Sequence, residues 1–457
     1  MPARLPPSGA LAAAVLLAAA AAAAEPAEAP ADRWSVRVLS QTYLRLFERA
    51  LLPGPGGALV STELSAPLCE HASLQVADID LPWEQDSLDV ELSVWGDVDP
   101  AEAGAGQRVD GDVAVASVRH RLGPAFFRLG RQVQAGGAAR LARFDGLAAG
   151  ARLSWGLGAQ AYAGLVVLPR WSERPGYHLL GSAADSLLRS PDALPEPERA
   201  GSWLAGGQVR YDHRWLGSLG ASFHEERASG ELGRRNLGFD LRLTPHESTA
   251  VSAGTVVDAD AWGLADARAL VELRPWDELD LAAEYLRATP ALLLSRQSVL
   301  STFSVDAFHE LGGLASWRPV RELELGGAGY AQVFATSALG ARLVGRARLE
   351  PERWLPLVAR GEYGFVTEPE NGYHALRVAL AYRIALPVTA TAESYLYFYE
   401  RPIRDVSRSW VGAANVEWAM ARGWSVLGGG SVARTPYAAI DAQAIARLRL
   451  ELDWSKP

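Results

Sequence analysis

The sequence predicts an all-β protein, a transmembrane antiparallel up-and-down β-barrel of about 22 strands (20–22), with short periplasmic turns and longer extracellular loops. Three observations carry the prediction. Apolar and polar residues alternate in segments that run to about twelve residues, from position 34 to the C-terminus. The connections between segments switch between tight turns and longer loops. A secretory leader precedes the first segment.

The leader comes first in the chain. Arg4 gives a positive start, "LAAAVLLAAAAAAA" (11–24) is an apolar core, and Ala22-Ala23-Ala24 fits a small-residue cleavage site. Residues 1–24 therefore read as a signal peptide, with Ala29-Pro30-Ala31 placing an alternative cut as late as 31. The apolar core is too short for a helical membrane span. Residues 25–33 follow as a short periplasmic segment, and 34–457 as a single outer-membrane barrel domain.

"WSVRVLSQTYLRLF" (34–47) and "PLCEHASLQVADI" (67–79) are the least regular segments. "SLDVELSVWGDV" (87–98), "GDVAVASVRHRL" (111–122) and "PAFFRLGRQVQ" (124–134) alternate more clearly, and the pattern continues to "IDAQAIARLRLELDW" (440–454). Soluble strands average five to six residues. Twelve residues at about 3.3 Å each, tilted near 45°, cover roughly 28 Å, close to the apolar band of a bilayer.

Short turns include "WGLG" (155–158), "TPHES" (244–248), "RPWDEL" (274–279) and "RPVREL" (318–323). Between them lie loops expected at 99–110, 135–145, 169–200, 227–234, 288–301, 367–371 and 401–407. The faces agree with a membrane wall. In the last segment Ala442, Ala444, Ala446, Leu448, Leu450, Leu452 and Trp454 share one parity, while Arg447, Arg449, Glu451 and Asp453 share the other. An arginine held in lipid at mid-membrane costs roughly 2–4 kcal/mol, so the charged parity must face the interior. Trp215, Trp276, Trp317, Trp354, Trp424 and Trp454 cluster at the short-turn end and are expected to form an aromatic girdle in the outer-membrane lipid.

Composition excludes several classes. A net charge of −9 and a pI near 5.5 leave no footprint for nucleic acid. The lone cysteine, Cys69, rules out an intramolecular disulfide, and no C-x-x-C-H exists to attach haem to this chain. No spacing of metal ligands and no catalytic set stands out, so neither an enzyme nor a bound cofactor is expected. His178, His224 and His374 lie near the outer end and read as polar residues of the rim.

The N-terminal third adds a resemblance. "SQTYLRLFE", "PLCEHASL", "LSVWGDVD" and "FFRLGRQVQAGGAARLARFDGL" resemble porin-like bacterial outer-membrane proteins, and among these the barrel component of porin–cytochrome conduits. The most specific piece is Gly130-Arg131-Gln132, a glycine-bearing loop, then Phe144-Asp145-Gly146. Similarity to general porins, whose third external loop folds inward, suggests Arg131, Arg140, Arg143 and Asp145 as constriction residues. The alternative reading is a loop that lies on the rim.

A wide interior without a plug is expected, because only about ten residues separate the leader from the first segment, too few for the globular plug of a TonB-dependent receptor. Lumen-facing arginines concentrate at Arg342, Arg346, Arg348, Arg377 and Arg383, and acids at Asp266, Glu272, Asp280 and Glu284. This separation suggests a transverse field across the lumen, against the plainer reading of cross-strand ion pairs. The whole predicts a passive channel for small hydrophilic solutes. The alternative is a barrel sheath housing a multihaem c-type cytochrome from another chain. Solute, selectivity and oligomeric state are not specified by the sequence.

Overall fold

The computed structural model describes residues 34–51, 61–80, 86–98, 109–167, 202–213, 217–228, 230–289, 292, 307–351, 355–368, 371–403, 405–436 and 440–456. The first half of the wall comprises β1 (Trp34–Leu51), β2 (Ser61–Ser65), β3 (Leu68–Asp80), β4 (Asp86–Val98), β5 (Val109–Leu122), β6 (Ala125–Gly136), β7 (Arg140–Arg152), β8 (Leu157–Val166), β9 (Trp203–His213), β10 (Gly217–Ala228) and β11 (Glu231–His246). The second half comprises β12 (Thr249–Asp258), β13 (Gly263–Trp276), β14 (Leu279–Ala288), β15 (Phe308–Val320), β16 (Leu323–Phe334), β17 (Leu339–Leu349), β18 (Leu357–Thr367), β19 (Tyr373–Ala385), β20 (Val388–Ile403), β21 (Val406–Ala421), β22 (Trp424–Arg434) and β23 (Asp441–Lys456).

Neighbours in the chain are neighbours in the sheet, all antiparallel, and β1 pairs with β23 from Trp34↔Lys456 to Phe47↔Gln443. The sheet is thus closed, and no edge of β1 or β23 is left to seek a partner. β2 and β3 both pair with β1 and are two parts of one wall strand. Pro67 interrupts them because it has no N–H to give, although its carbonyl still accepts from the Arg45 N–H at 3.1 Å. The wall therefore has 22 strands, as expected.

The recurrent proline turns have a local cause. The register shifts between Leu243 and His246, between Leu273 and Trp276, and between Trp317 and Val320. Pro245, Pro275 and Pro319 sit in these irregularities, where the ladder asks for no proline N–H. Each strand then reverses through a two-residue turn and restarts its alternation.

Connections at the other end are often shorter than expected. Only residues 137–139, a 3-10 turn, separate β6 from β7, and β10–β11 and β20–β21 are joined by two residues each. Glycines and charges there read as loop in sequence. In a closed wall each added residue gains a ladder partner, so the strands run on beyond the apolar band. The expected loop at 169–200, with His178, lies outside the described residues, as do Trp215 and Trp354.

The two faces separate as their chemistry requires. Leu129, Leu147, Leu165, Leu219, Phe239, Leu311 and Leu343 are exposed on one face, and Trp276, Trp317, Trp424 and Trp454 stand exposed on that face at the short-turn end. The opposite parity carries Asp89, Glu91, Arg210, Asp240, Glu310, Arg342 and Arg447.

Candidate functional site: a hairpin across the lumen

The β6–β7 hairpin departs from the wall. The β5–β6 ladder stops at Ala116↔Arg131, whereas β6–β7 pairing continues to Gly136↔Arg140. Glycines permit the bend. Gly130 has φ 116°, and a Cβ there would collide with the Ala116 carbonyl. Gly146 faces Gly164 on β8, and a side chain on either would strike the other strand's backbone.

The released tip lands on β10, β11 and β13. The Ala138 N–H donates to Ser222 Oγ at 2.8 Å, and Asn236 Nδ2 donates to the Ala138 carbonyl at 3.3 Å. Gly238 offers bare backbone, since a Cβ would come within 2.6 Å of Ala138 N. Arg140 reaches Asp266 at 3.2 Å, six wall strands from its own. A chord between strands so far apart in a closed sheet can run only on its concave side. The face carrying Ser222, Asn236 and Asp266 is therefore the lumen, and the leucine face is the exterior.

Beneath the chord lies the main apolar cluster of the described residues: Ala139, Ala142, Phe144, Ala148, Tyr162 and Leu204. Phe144 is fully buried against Tyr162, with ring centroids 5.6 Å apart. Tyr162 OH is hydrogen-bonded to His224 Nδ1 at 3.0 Å, and His224 Nε2 stands 3.7 Å from Glu226, which pairs with Arg234 at 2.8 Å. His224 is thus fully buried under the hairpin, not a rim residue as its position in sequence suggested. His374 does lie on the exterior parity, bonded to Tyr363 at 2.6 Å.

The back of the hairpin is tied to β5. Arg131 grips Asp145 through two hydrogen bonds of 2.7 and 2.9 Å and reaches Asp112 at 3.0 Å, while Arg143 reaches Asp112 at 2.7 Å. Both guanidinium groups also donate to the Val113 carbonyl, which β6 leaves without a strand partner. Arg131 and Arg143 are only 15 % and 11 % exposed. These two, with Asp145, fill the gap between wall and hairpin, whereas Arg140 lies on the chord itself. The 135–145 segment is accordingly mostly strand, and it folds inward.

The remaining candidates line the lumen away from the hairpin. Arg342 pairs with Glu310 at 2.9 Å and stacks on Tyr330, whose hydroxyl donates to Glu284 at 3.2 Å. Arg377 pairs with Glu393, Arg348 with Glu350, and Asp280 with Arg274 at 2.6 Å. Arg346, Arg383 and Glu272 form no ion pair among the described residues. Much of the charge is therefore paired, mostly between strands, while Arg346 and Arg383 stand unpaired on the lumenal parity. Sequence reasoning missed Ser222, Asn236, Gly238, Tyr162 and Leu204. Their signal is small or uncharged residues on a parity otherwise rich in charge.

Replacing Phe144 with alanine should cost roughly 3–5 kcal/mol of packing. Because that loss falls on the hairpin, limited trypsin digestion of the folded protein should newly cleave after Arg140 or Arg143. An unchanged digestion pattern would show that the ring does not hold the chord.

A closed antiparallel wall with an apolar exterior and a charged, strapped interior defines a membrane-type β-barrel. No protein-family model matches the chain, and no curated protein matches it. Solved structures do. The ferric enterobactin receptor PfeA of Pseudomonas aeruginosa, as a mutant, is 8% identical with a TM-score of 0.50, covering 93% of this chain and 81% of its own. The outer membrane protein OpdK of the same organism is 10% identical with a TM-score of 0.42, covering 92% and 99%. OccK9 (OpdG), also from Pseudomonas aeruginosa, is 12% identical with a TM-score of 0.44, covering 92% and 98%. At these identities the likeness is one of barrel architecture. The cytochrome-conduit reading gains no support from it.

Proposed function

We propose that the protein is an outer-membrane channel for passive diffusion of small hydrophilic solutes, with the β6–β7 hairpin as its constriction. The carrying observation is the chord pinned to Ser222, Asn236 and Asp266 inside a charged lumen. The leader supports export, and the 22-strand wall with its exterior leucines supports insertion in the outer membrane. Arg140, on the chord, and Arg342, Arg346 and Arg377, on the wall, set the local field that a passing ion meets. Arg131, Arg143 and Asp145 act behind them by holding the hairpin in place. The exterior tryptophans would seat the short-turn end at the lipid interface. The sheath reading has no observation in its favour, and a lumen already crossed by a strap leaves less room for a cytochrome.

Two measurements test the proposal. The purified protein, alone in a planar bilayer, should give stable ionic conductance; its absence with inserted protein would overturn the channel reading. Reversing Arg342, Arg346 and Arg377 to glutamate together should move the reversal potential under a salt gradient toward cation selectivity. No movement would remove these arginines from the conduction path.

A further inference from the structure

We propose that Arg408 and Arg434 form a site on the exterior of the barrel for the phosphate of an anionic glycolipid headgroup, an inference that rests on the membrane reading above. Both side chains are exposed on the exterior parity, at the long-loop end of β21 and β22. Trp410 pairs directly with Arg434, so Arg408, two residues away on the same strand and face, is its diagonal neighbour. Diagonal neighbours in a sheet lie roughly 7–8 Å apart between backbones, within reach of one group for two long side chains.

The two cations are uncompensated, whereas Glu225 and Glu70 on this face have partners. Glu225 is held between Arg227 and Arg235, at 2.8 and 2.9 Å. Glu70 accepts hydrogen bonds from Ser40 and Thr42. Neither Arg408 nor Arg434 forms an ion pair among the described residues. The near acid Glu400 lies over Gly372, on the β19 side of β20 and away from β21. Two like charges at one place on a lipid-facing wall are unfavourable until an anion bridges them.

Their surroundings fix the class of that anion. Phe398 opposes Arg408 on β20, and Phe398, Trp410 and Val432 are all exposed beside the pair. An apolar and aromatic surface below, with two guanidinium groups at its upper edge, matches an amphiphile whose acyl chains lie on the wall and whose phosphate sits at the rim. Arginine suits the role because its fork donates two parallel hydrogen bonds to phosphate oxygens.

The test uses the whole protein in detergent micelles, titrated with a diphosphorylated glucosamine-disaccharide glycolipid and followed by native mass spectrometry. The double variant Arg408→Gln, Arg434→Gln should bind at least about tenfold more weakly, the factor expected from losing one charge-assisted hydrogen bond. The dephosphorylated glycolipid should bind wild type as weakly as the variant binds the phosphorylated one. Equal binding of both lipids, or equal binding by both proteins, would overturn the site. Competition by millimolar inorganic phosphate alone would show an anion site without lipid recognition and overturn the lipid assignment. Bilayer insertion of the variant, read by conductance, separates failure of this site from failure of the membrane reading.

Discussion

Replacing Gly238 with tryptophan should raise single-channel conductance about twofold or more, because ion flow follows the open cross-section at the narrowest point. The position is the floor on which the hairpin tip rests, and even a Cβ would meet Ala138 N at 2.6 Å. A large ring would lift the tip from Ser222 and Asn236 and remove the two hydrogen bonds that hold Ala138, leaving the Arg140–Asp266 tie as the remaining end contact. The wall should survive, since β11 keeps its ladders with β10 and β12 on either side. Circular dichroism would confirm an intact barrel. A variant that folds but conducts as wild type would show that the chord is not the constriction.

A second pair of substitutions tests which face meets lipid. Leu448→Arg, at mid-strand on the exterior, should destabilise the inserted barrel by roughly 2–4 kcal/mol, the measured range for arginine at the bilayer midplane. Leu427→Arg lies on the neighbouring strand but opposes Arg447 and Glu417 on the charged lumenal parity. Its cost should be within about 1 kcal/mol, as for a surface substitution. Urea unfolding in lipid vesicles would measure both. Equal penalties, or a reversed order, would mean that the assignment of faces is inverted.

How much of this was legible in the sequence depends on whether the controlling physics is local. The alternation that sets Leu279, Leu281 and Tyr285 apart from Asp280 and Glu284 is a property of one strand, and it survives in the structure. So does the proline turn, whose cause lies within four residues. Closure of the wall follows from many such segments together.

The hairpin's course was not legible in the same way. An inward fold was suggested only by resemblance, and its landing site depends on Ser222, Asn236 and Gly238, about a hundred residues downstream and without any motif. The role of Arg131 and Arg143 was obscured for a related reason. They sit on the parity of Leu129 and Leu141, which alternation alone would assign to lipid, yet the bend at Gly130 turns that side toward Asp112. His224 looked like a rim residue because its distance from the strand end was readable, while the strap that covers it was not.

The tie between Arg140 and Asp266 has a mechanical consequence. An unbraced hoop of paired strands deforms most easily by becoming oval, since that motion bends every ladder slightly and breaks none. A spoke fixed to one arc and pinned to another cannot lengthen without losing its end contacts, so it stiffens that arc against squeezing by the surrounding bilayer.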